Sequence, residues 1–142
     1  MSIPISIKLN FEVNFQVNFD IKSFISAVLN KKNICYGSYE FNFVKNETII
    51  AINKQYLNRN YITDIISFNL GTTTHPIGDV YICIDQVKLN AQDYNSSFEN
   101  EFKLIIVHGI LHLLDYKDYS KEERNIMEQE QDRLLKLLSN EI

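Results

Sequence analysis

Two stretches near the C-terminal end of the chain repeat apolar residues at helical spacing, each behind a Ser-x-x-Glu pattern, and they commit residues 96–138 to two helices. Ser96 with Glu99 reads as a capping box, in which each side chain satisfies the other residue's backbone N–H, ahead of a helix from about Ser97 to Asp115. Ser120 with Glu123 reads as a second box ahead of a helix from about Lys121 to Leu138. In that last helix Ile126, Leu134 and Leu137, with Met127, supply the apolar side, and the Glu, Gln and Arg residues face water.

The other end of the chain has period two. Ile3, Ile5, Ile7 and Leu9 alternate with polar residues, and Phe11, Val13, Phe15, Val17 and Phe19 continue the rhythm, which predicts strand. Asp20 is placed to cap a helix over Ile21–Leu29. Tyr36–Val44 alternates again as a second strand, and Thr48 caps a short helix reaching about Leu57. Asp64–Leu70 and Gly78–Ile84 read as neighbouring strands joined by the loop Gly71–Ile77, and Gln86–Tyr94 as a helix. The elements add up to an α+β fold, a small mixed sheet covered by helices.

A chain of 142 residues suits a single domain, residues 1–142, with one hydrophobic core, and 45% apolar with 23% charged residues is ordinary for a soluble protein. Apolar runs such as Leu104–Val107 are too short to span a membrane, and Met1–Asn10 lacks the pattern of a signal peptide, so the expected location is the cytoplasm. Cys35 and Cys83 have no metal-type spacing and are expected as free thiols. A net charge of −4 carries no basic footprint of the kind that nucleic-acid binding usually leaves.

Only three histidines occur, and two of them, His108 and His112, stand four apart on the stronger predicted helix. Residues at i and i+4 share a helix face, so both imidazoles can meet one metal ion. Asp118 follows on the turn before the next cap, where a reversing chain brings its carboxylate back to the same ion. Three protein ligands leave a fourth position open, the catalytic form of a zinc site. On spacing alone a second reading stands beside this one: packed, hydrogen-bonded core histidines and a solvated turn Asp. His₂Asp suits zinc and also other divalent metals. Gly109 occupies the position that holds Glu in H-E-x-x-H peptidases, which argues against that class.

The segment His-Gly-Ile-Leu-His-Leu-Leu-Asp-Tyr-Lys-Asp, residues 108–118, resembles the signature H-G-x-L-H-L-x-G-Y-D-H of the YbeY family of rRNA maturation endoribonucleases. His108, Gly109, Leu111, His112, Leu113 and Tyr116 match in place. Upstream, Thr63-Asp64-Ile65-Ile66-Ser67-Phe68 looks like the family's T-[DN]-V-L-S-F strand, and Gly78-Asp79-Val80-Tyr81-Ile82 like its G-D-[IL]-x-I strand. The resemblance covers roughly residues 45 to 135. It implies a single-strand-specific endoribonuclease in rRNA maturation and ribosome quality control, dependent on one Zn²⁺ held by His108, His112 and Asp118. Its implied partners are rRNA precursor and the ribosome or ribosomal proteins, with no membrane.

The chain departs from the pattern at several places. The family's third metal-binding His falls on Asp118, and Asp115 and Lys117 stand where the family has Gly and Asp. An Arg that the family carries ahead of the T-D strand falls on Leu57, with Arg59 as a nearby replacement. With no Glu at position 109, base duty falls to the metal centre or to a nearby acid, for which Asp79 is a candidate beside a plain hydrogen-bonding role. His75 is read as an exposed loop residue outside the site and Ser67 as structural or a minor substrate contact. Two other function classes stay open: a metal-dependent hydrolase of another substrate, peptides included, and a non-enzymatic ribosome-associated factor.

Overall fold

Among residues 4–139, which the computed structural model describes, four strands and five helices follow one another. They are β1 (Ile5–Phe11), α1 (Ile21–Lys31), β2 (Gly37–Val44), α2 (Asn46–Leu57), β3 (Ile65–Asn69), β4 (Ile77–Cys83), α3 (Ile84–Asp93), α4 (Phe98–Leu113) and α5 (Lys121–Ser139). Ile3, the first residue of the predicted N-terminal strand, lies outside the described residues. The sheet order is β1-β2-β4-β3. β1 and β2 run parallel with Ile5 opposite Gly37, β2 and β4 parallel with Ser38 opposite Ile77, and β3 antiparallel to β4 with Ile65 opposite Ile82. This is the mixed α+β architecture that the alternation of patterns predicts.

Successive strand residues point to opposite faces. Phe41, Phe43, Val80 and Ile82 therefore share one face, where they are buried with Phe24, Ile25 and Val28 of α1, Phe102, Ile106 and Ile110 of α4, and Leu134 of α5. The opposite face is covered by α2 only at its β3–β4 end, through Val44, Ile49, Ile66 and Cys83. Toward β1 that face stays polar: Asn10 donates to Asn42, which donates in turn to Asp79.

The regular alternation of Val13–Phe19 does not continue the strand. β1 stops at Phe11 because its neighbour β2 ends at Val44, and the last ladder-like bond runs from Glu12 N–H to Phe43 C=O at 2.9 Å. Beyond it, Phe15 packs against Phe43 and Phe102, and Phe19 against Phe24, as an irregular strap over the core. Glu12 turns back to cap α2, accepting from Lys45 N–H at 2.9 Å and from the Thr48 hydroxyl. The Lys45 bond, with Thr48, holds the Glu12 carboxyl below its usual pKa. Thr48 thus lies inside α2 rather than capping it.

Ser97, one residue later than predicted, caps α4 by accepting from Asn100 N–H, and the reciprocal Ser120–Glu123 box forms as predicted. α5 is rotated from its predicted face. Ile126 and Leu137 are 59% and 40% exposed, while Met127, Gln131, Leu134 and Leu138 are buried.

The helices end on residues other than glycine. Asn33, Asn58, Asn95 and Asp115 adopt φ of 62°, 54°, 53° and 69°, in the left-handed region that Asn and Asp tolerate best among residues with a side chain. Three of these ends are Schellman turns. At α4, Tyr116 N–H bonds Leu111 C=O at 3.0 Å and Asp115 N–H bonds His112 C=O at 3.1 Å; α1 and α3 close in the same way around Asn33 and Asn95.

A largely buried ion pair ties the α4–α5 turn to α1. Lys32, just past α1, bonds the Glu130 carboxylate on α5 and donates to the Tyr116 hydroxyl at 2.8 Å. Arg133, then Lys32, hold the Glu130 carboxyl down to about 2, against the opposing effect of burial. Because that pKa is depressed in the folded state, its stabilising contribution is complete above the ordinary value near 4.5 and disappears as pH falls toward 2.

Two stability predictions come from these contacts. Glu130→Gln should cost roughly 1–3 kcal/mol at pH 7, and urea unfolding should show the gap to the parent protein closing below about pH 4.5. A gap independent of pH would show that the pair does not act through its charge. Asp115→Gly should raise stability by roughly 0.5–1 kcal/mol by relieving the left-handed conformation. A loss in the same titration would mean that the exposed Asp115–Lys117 contact matters more than the backbone.

Candidate metal centre

β3 brings the sheet to α4. Its residues Ile65, Ser67 and Asn69 point to the helix: the Ser67 hydroxyl donates to Gly109 C=O at 3.2 Å and Asn69 Nδ2 to Leu113 C=O at 3.1 Å. A Cβ on Gly109 would stand 2.4 Å from Ile65 Cδ1, so glycine permits the close approach here. Ser67 thus ties β3 to α4, the structural one of its two predicted roles, and it also lines the cleft beside the histidines.

His108 and His112 stand one turn apart on α4, beside a cleft of about 400 Å³ between that helix, β3 and the loop after α2. His108 Nδ1 pairs with Gln131 Oε1 on α5. His112 Nδ1 lies 3.0 Å from Tyr116 C=O. Both partners can only accept, so both Nδ1 atoms carry protons and each ring turns Nε2, the nitrogen whose lone pair can bind a metal, away from them. The two Nε2 atoms face each other at 3.0 Å. Lone pairs so close repel unless a shared proton or a metal ion lies between them. Asp118 Oδ2 stands 3.6 Å from His112 Nε2, and the ligating atoms of all three residues lie within 4.8 Å of one another. Tetrahedral zinc with bonds of about 2.0–2.2 Å spreads its ligands roughly 3.3–3.5 Å apart, a spacing that the 3.0 Å between the imidazoles and the 3.6 Å from His112 to Asp118 bracket. Burial first, then the neighbouring His108, lowers the His112 pKa, which keeps the imidazole in the neutral, ligating form at pH 7.

The structure thus draws together His108, His112 and Asp118 and leaves the other candidates apart. His75 is exposed, its Nδ1 near Thr74 Oγ1 at 3.3 Å, and is not among the cleft residues. Asp79 accepts from Asn42 Nδ2 at 3.0 Å on the sheet face away from α4, which removes it as a base at this site. The further carboxylate lining the cleft is Asp64, which accepts from Asn90 Nδ2 at 3.0 Å. Arg59 and Leu57 both line the cleft, so Arg59 occupies the region expected of a replacement. A larger open groove, about 1420 Å³, runs between β1 and α1; the described residues bring no three metal-ligating side chains together there.

Gln131 escapes a sequence reading that sends the glutamines of α5 to water. Its spacing, four after Met127 and three before Leu134, is the available signal for its burial. Nothing local marks Lys32, whose contact to Tyr116 spans 84 residues of chain.

Comparison with known proteins agrees with this geometry. Residues 7–139 match the family profile described as Endoribonuclease YbeY. The Endoribonuclease YbeY of Flavobacterium psychrophilum is 38% identical over 117 residues, covering 81% of this chain and 82% of the relative. That of Parabacteroides distasonis is 36% identical over 118 residues, covering 83% of each. A Thermotoga maritima protein solved in solution superposes with a TM-score of 0.66 at 24% identity, over 96% of this chain and 90% of that one, and shares the fold. The matched residues run from β1 to the end of α5 and take in both histidines and the turn behind them, so the chain belongs to the endoribonuclease YbeY family.

Proposed function

We propose that residues 1–142 form a single-domain, zinc-dependent, single-strand-specific endoribonuclease of rRNA maturation and ribosome quality control, acting in the cytoplasm, with His108, His112 and Asp118 as the metal ligands. The observation that carries the reading is the pair of Nε2 lone pairs converging at 3.0 Å beside the Asp118 carboxylate, in a chain of this family. No helix among the described residues is long and apolar enough to cross a membrane.

The chain's own residues divide the work. Gln131 and the Tyr116 carbonyl fix the tautomers of the two imidazoles and aim them, as outer-shell partners of metal ligands do. Asp118 adds a negative charge where the family pattern has a neutral His. Arg59 and Lys117 line the cleft and can neutralise phosphates of an RNA strand entering it. A zinc ion bound here supplies a Lewis acid that makes water nucleophilic near neutral pH and polarises a phosphoryl oxygen. The net charge of −4 offers little long-range attraction to RNA, which favours delivery of rRNA precursor by a basic ribosomal-protein partner.

Two measurements follow from this assignment. Tag-free protein should contain about one zinc per chain by plasma mass spectrometry, and His108→Ala and Asp118→Ala should lose the zinc together with cleavage of unstructured RNA, by at least about 100-fold. Parent protein that takes up no zinc even after incubation with it, or a zinc-free variant that still cuts RNA, would end this reading. Gln131→Met, which keeps the buried volume, should weaken zinc binding about 10- to 100-fold in competition with a chromophoric chelator. Unchanged affinity with an unchanged melting temperature would reduce Gln131 to a packing residue.

A further inference from the structure

The cleft beside the histidines is small for a polymer. Its volume of about 400 Å³ lies at the lower end of the range for small-ligand pockets, so an RNA strand must run out over the rim on both sides. Two tyrosines stand on that rim. Tyr61, on the loop between α2 and β3, is 53% exposed, and Tyr119, on the loop between α4 and α5, is 80% exposed. Neither ring has a hydrogen-bond, stacking or cation partner among the described residues. Tyr56 makes the contrast: it is as exposed, but its ring packs edge-on against Phe68 at 5.4 Å.

Both tyrosines are unpartnered at the ring, with Tyr61 held at its own carbonyl and Tyr119 through the residues on either side of it. Tyr61 C=O accepts from Asn53 Nδ2 at 3.0 Å, and Asn53 is buried. Tyr119 lies between Asp118, whose carbonyl accepts from Arg124, and Ser120, which belongs to the capping box of α5. The rings are therefore carried by fixed chain at the two loops that bound the site, with the cations Arg59 and Lys117 lining the cleft beside them. An exposed aromatic face next to a phosphate-binding cation is the surface on which unpaired bases stack, and the stacking tolerates any base.

We propose that Tyr61 and Tyr119 are specificity-determining residues that stack on unpaired nucleobases flanking the phosphodiester at the metal centre. The proposal rests on the endoribonuclease reading of the same site. A base-paired strand keeps its faces covered by its own neighbours and offers these rings nothing, so the two tyrosines select unpaired RNA by contact rather than by sequence.

The test uses zinc-loaded full-length protein and a fluorescein-labelled 2′-O-methyl RNA octamer, shown intact on a denaturing gel after each titration, with anisotropy as the readout. Tyr119→Leu and Tyr61→Leu should each weaken binding of the single strand about 5- to 100-fold, and Tyr119→Phe and Tyr61→Phe should stay within about threefold of the parent. An abasic octamer should bind parent and Leu variants alike. Tyr94→Leu, which changes a 73% exposed tyrosine away from the cleft, should have no effect. Parent protein that binds the octamer while both Leu variants bind it equally well would overturn the stacking role and leave the endoribonuclease reading in place. Equal affinity for a duplex would overturn it too. Parent protein that binds no RNA in any form would overturn both.

Discussion

The Schellman turn that ends α4 sets the geometry around the histidines. Within three residues it stops the helix at Leu114, turns the chain through left-handed Asp115, and presents the Tyr116 carbonyl to His112 Nδ1. That one acceptor decides the tautomer of His112 and orients its ring so that Nε2 faces His108. The same turn starts the run to Asp118. Had α4 continued for another turn, its next carbonyls would have been spent on intrahelical bonds and the carboxylate carried away from the histidine face. Helix termination is thus part of the site's chemistry.

The turn does not stand alone. Lys32 reaches it from the end of α1, bonding the Tyr116 hydroxyl and Glu130 while its ammonium lies 4.9 Å from the Tyr116 ring centroid. Charges this far from water are costly to bury singly, and the network meets that cost by pairing. Burial opposes the Lys32 charge, and the bonds to Glu130 and Tyr116 outweigh it, so its pKa rises. The result is that three elements distant in sequence, α1, the turn and α5, converge on one side chain next to His112. Gln131 adds a second link from α5 to His108. Movement of α5 would disturb both histidines together.

Much of this was legible from residues near one another. The 108–118 segment, the spacing of its histidines and the Ser120–Glu123 box are local patterns, and each appears where its spacing places it. What was not legible depends on partners elsewhere. Val13–Phe19 has the alternation of a strand, yet a strand also needs a neighbour to bond, and β2 has ended by then. Thr48 has the chemistry of a cap, but Glu12 supplies the cap from another element. Ser96 and Ser97 are adjacent and equally suited to capping; the Schellman bond of Ser96 N–H to Ala91 C=O settles which one α4 uses. The α5 face was misjudged because one glutamine belongs to the core: with Gln131 counted as inward, Met127, Gln131, Leu134 and Leu138 form a regular stripe, and Ile126 falls outside it.

Under the proposed ligand set, Asp118 gives the site a character that a third imidazole would not. Three neutral histidines leave a bound divalent ion with its full double charge, whereas a carboxylate removes one unit of it. The ligand holds the ion more tightly by Coulomb attraction and leaves it a weaker acid toward water. The carboxylate is also more exposed than the His112 side chain, at 42% against 26%, so solvent screens part of its charge and moderates both effects. Lys117 and Arg59, which line the same cleft, act in the opposite sense by restoring positive charge where phosphate would lie. A site with an anionic ligand among its three therefore has to draw phosphate through its rim rather than through its metal alone, and in this chain the rim carries both the cations and the two unpartnered tyrosine rings.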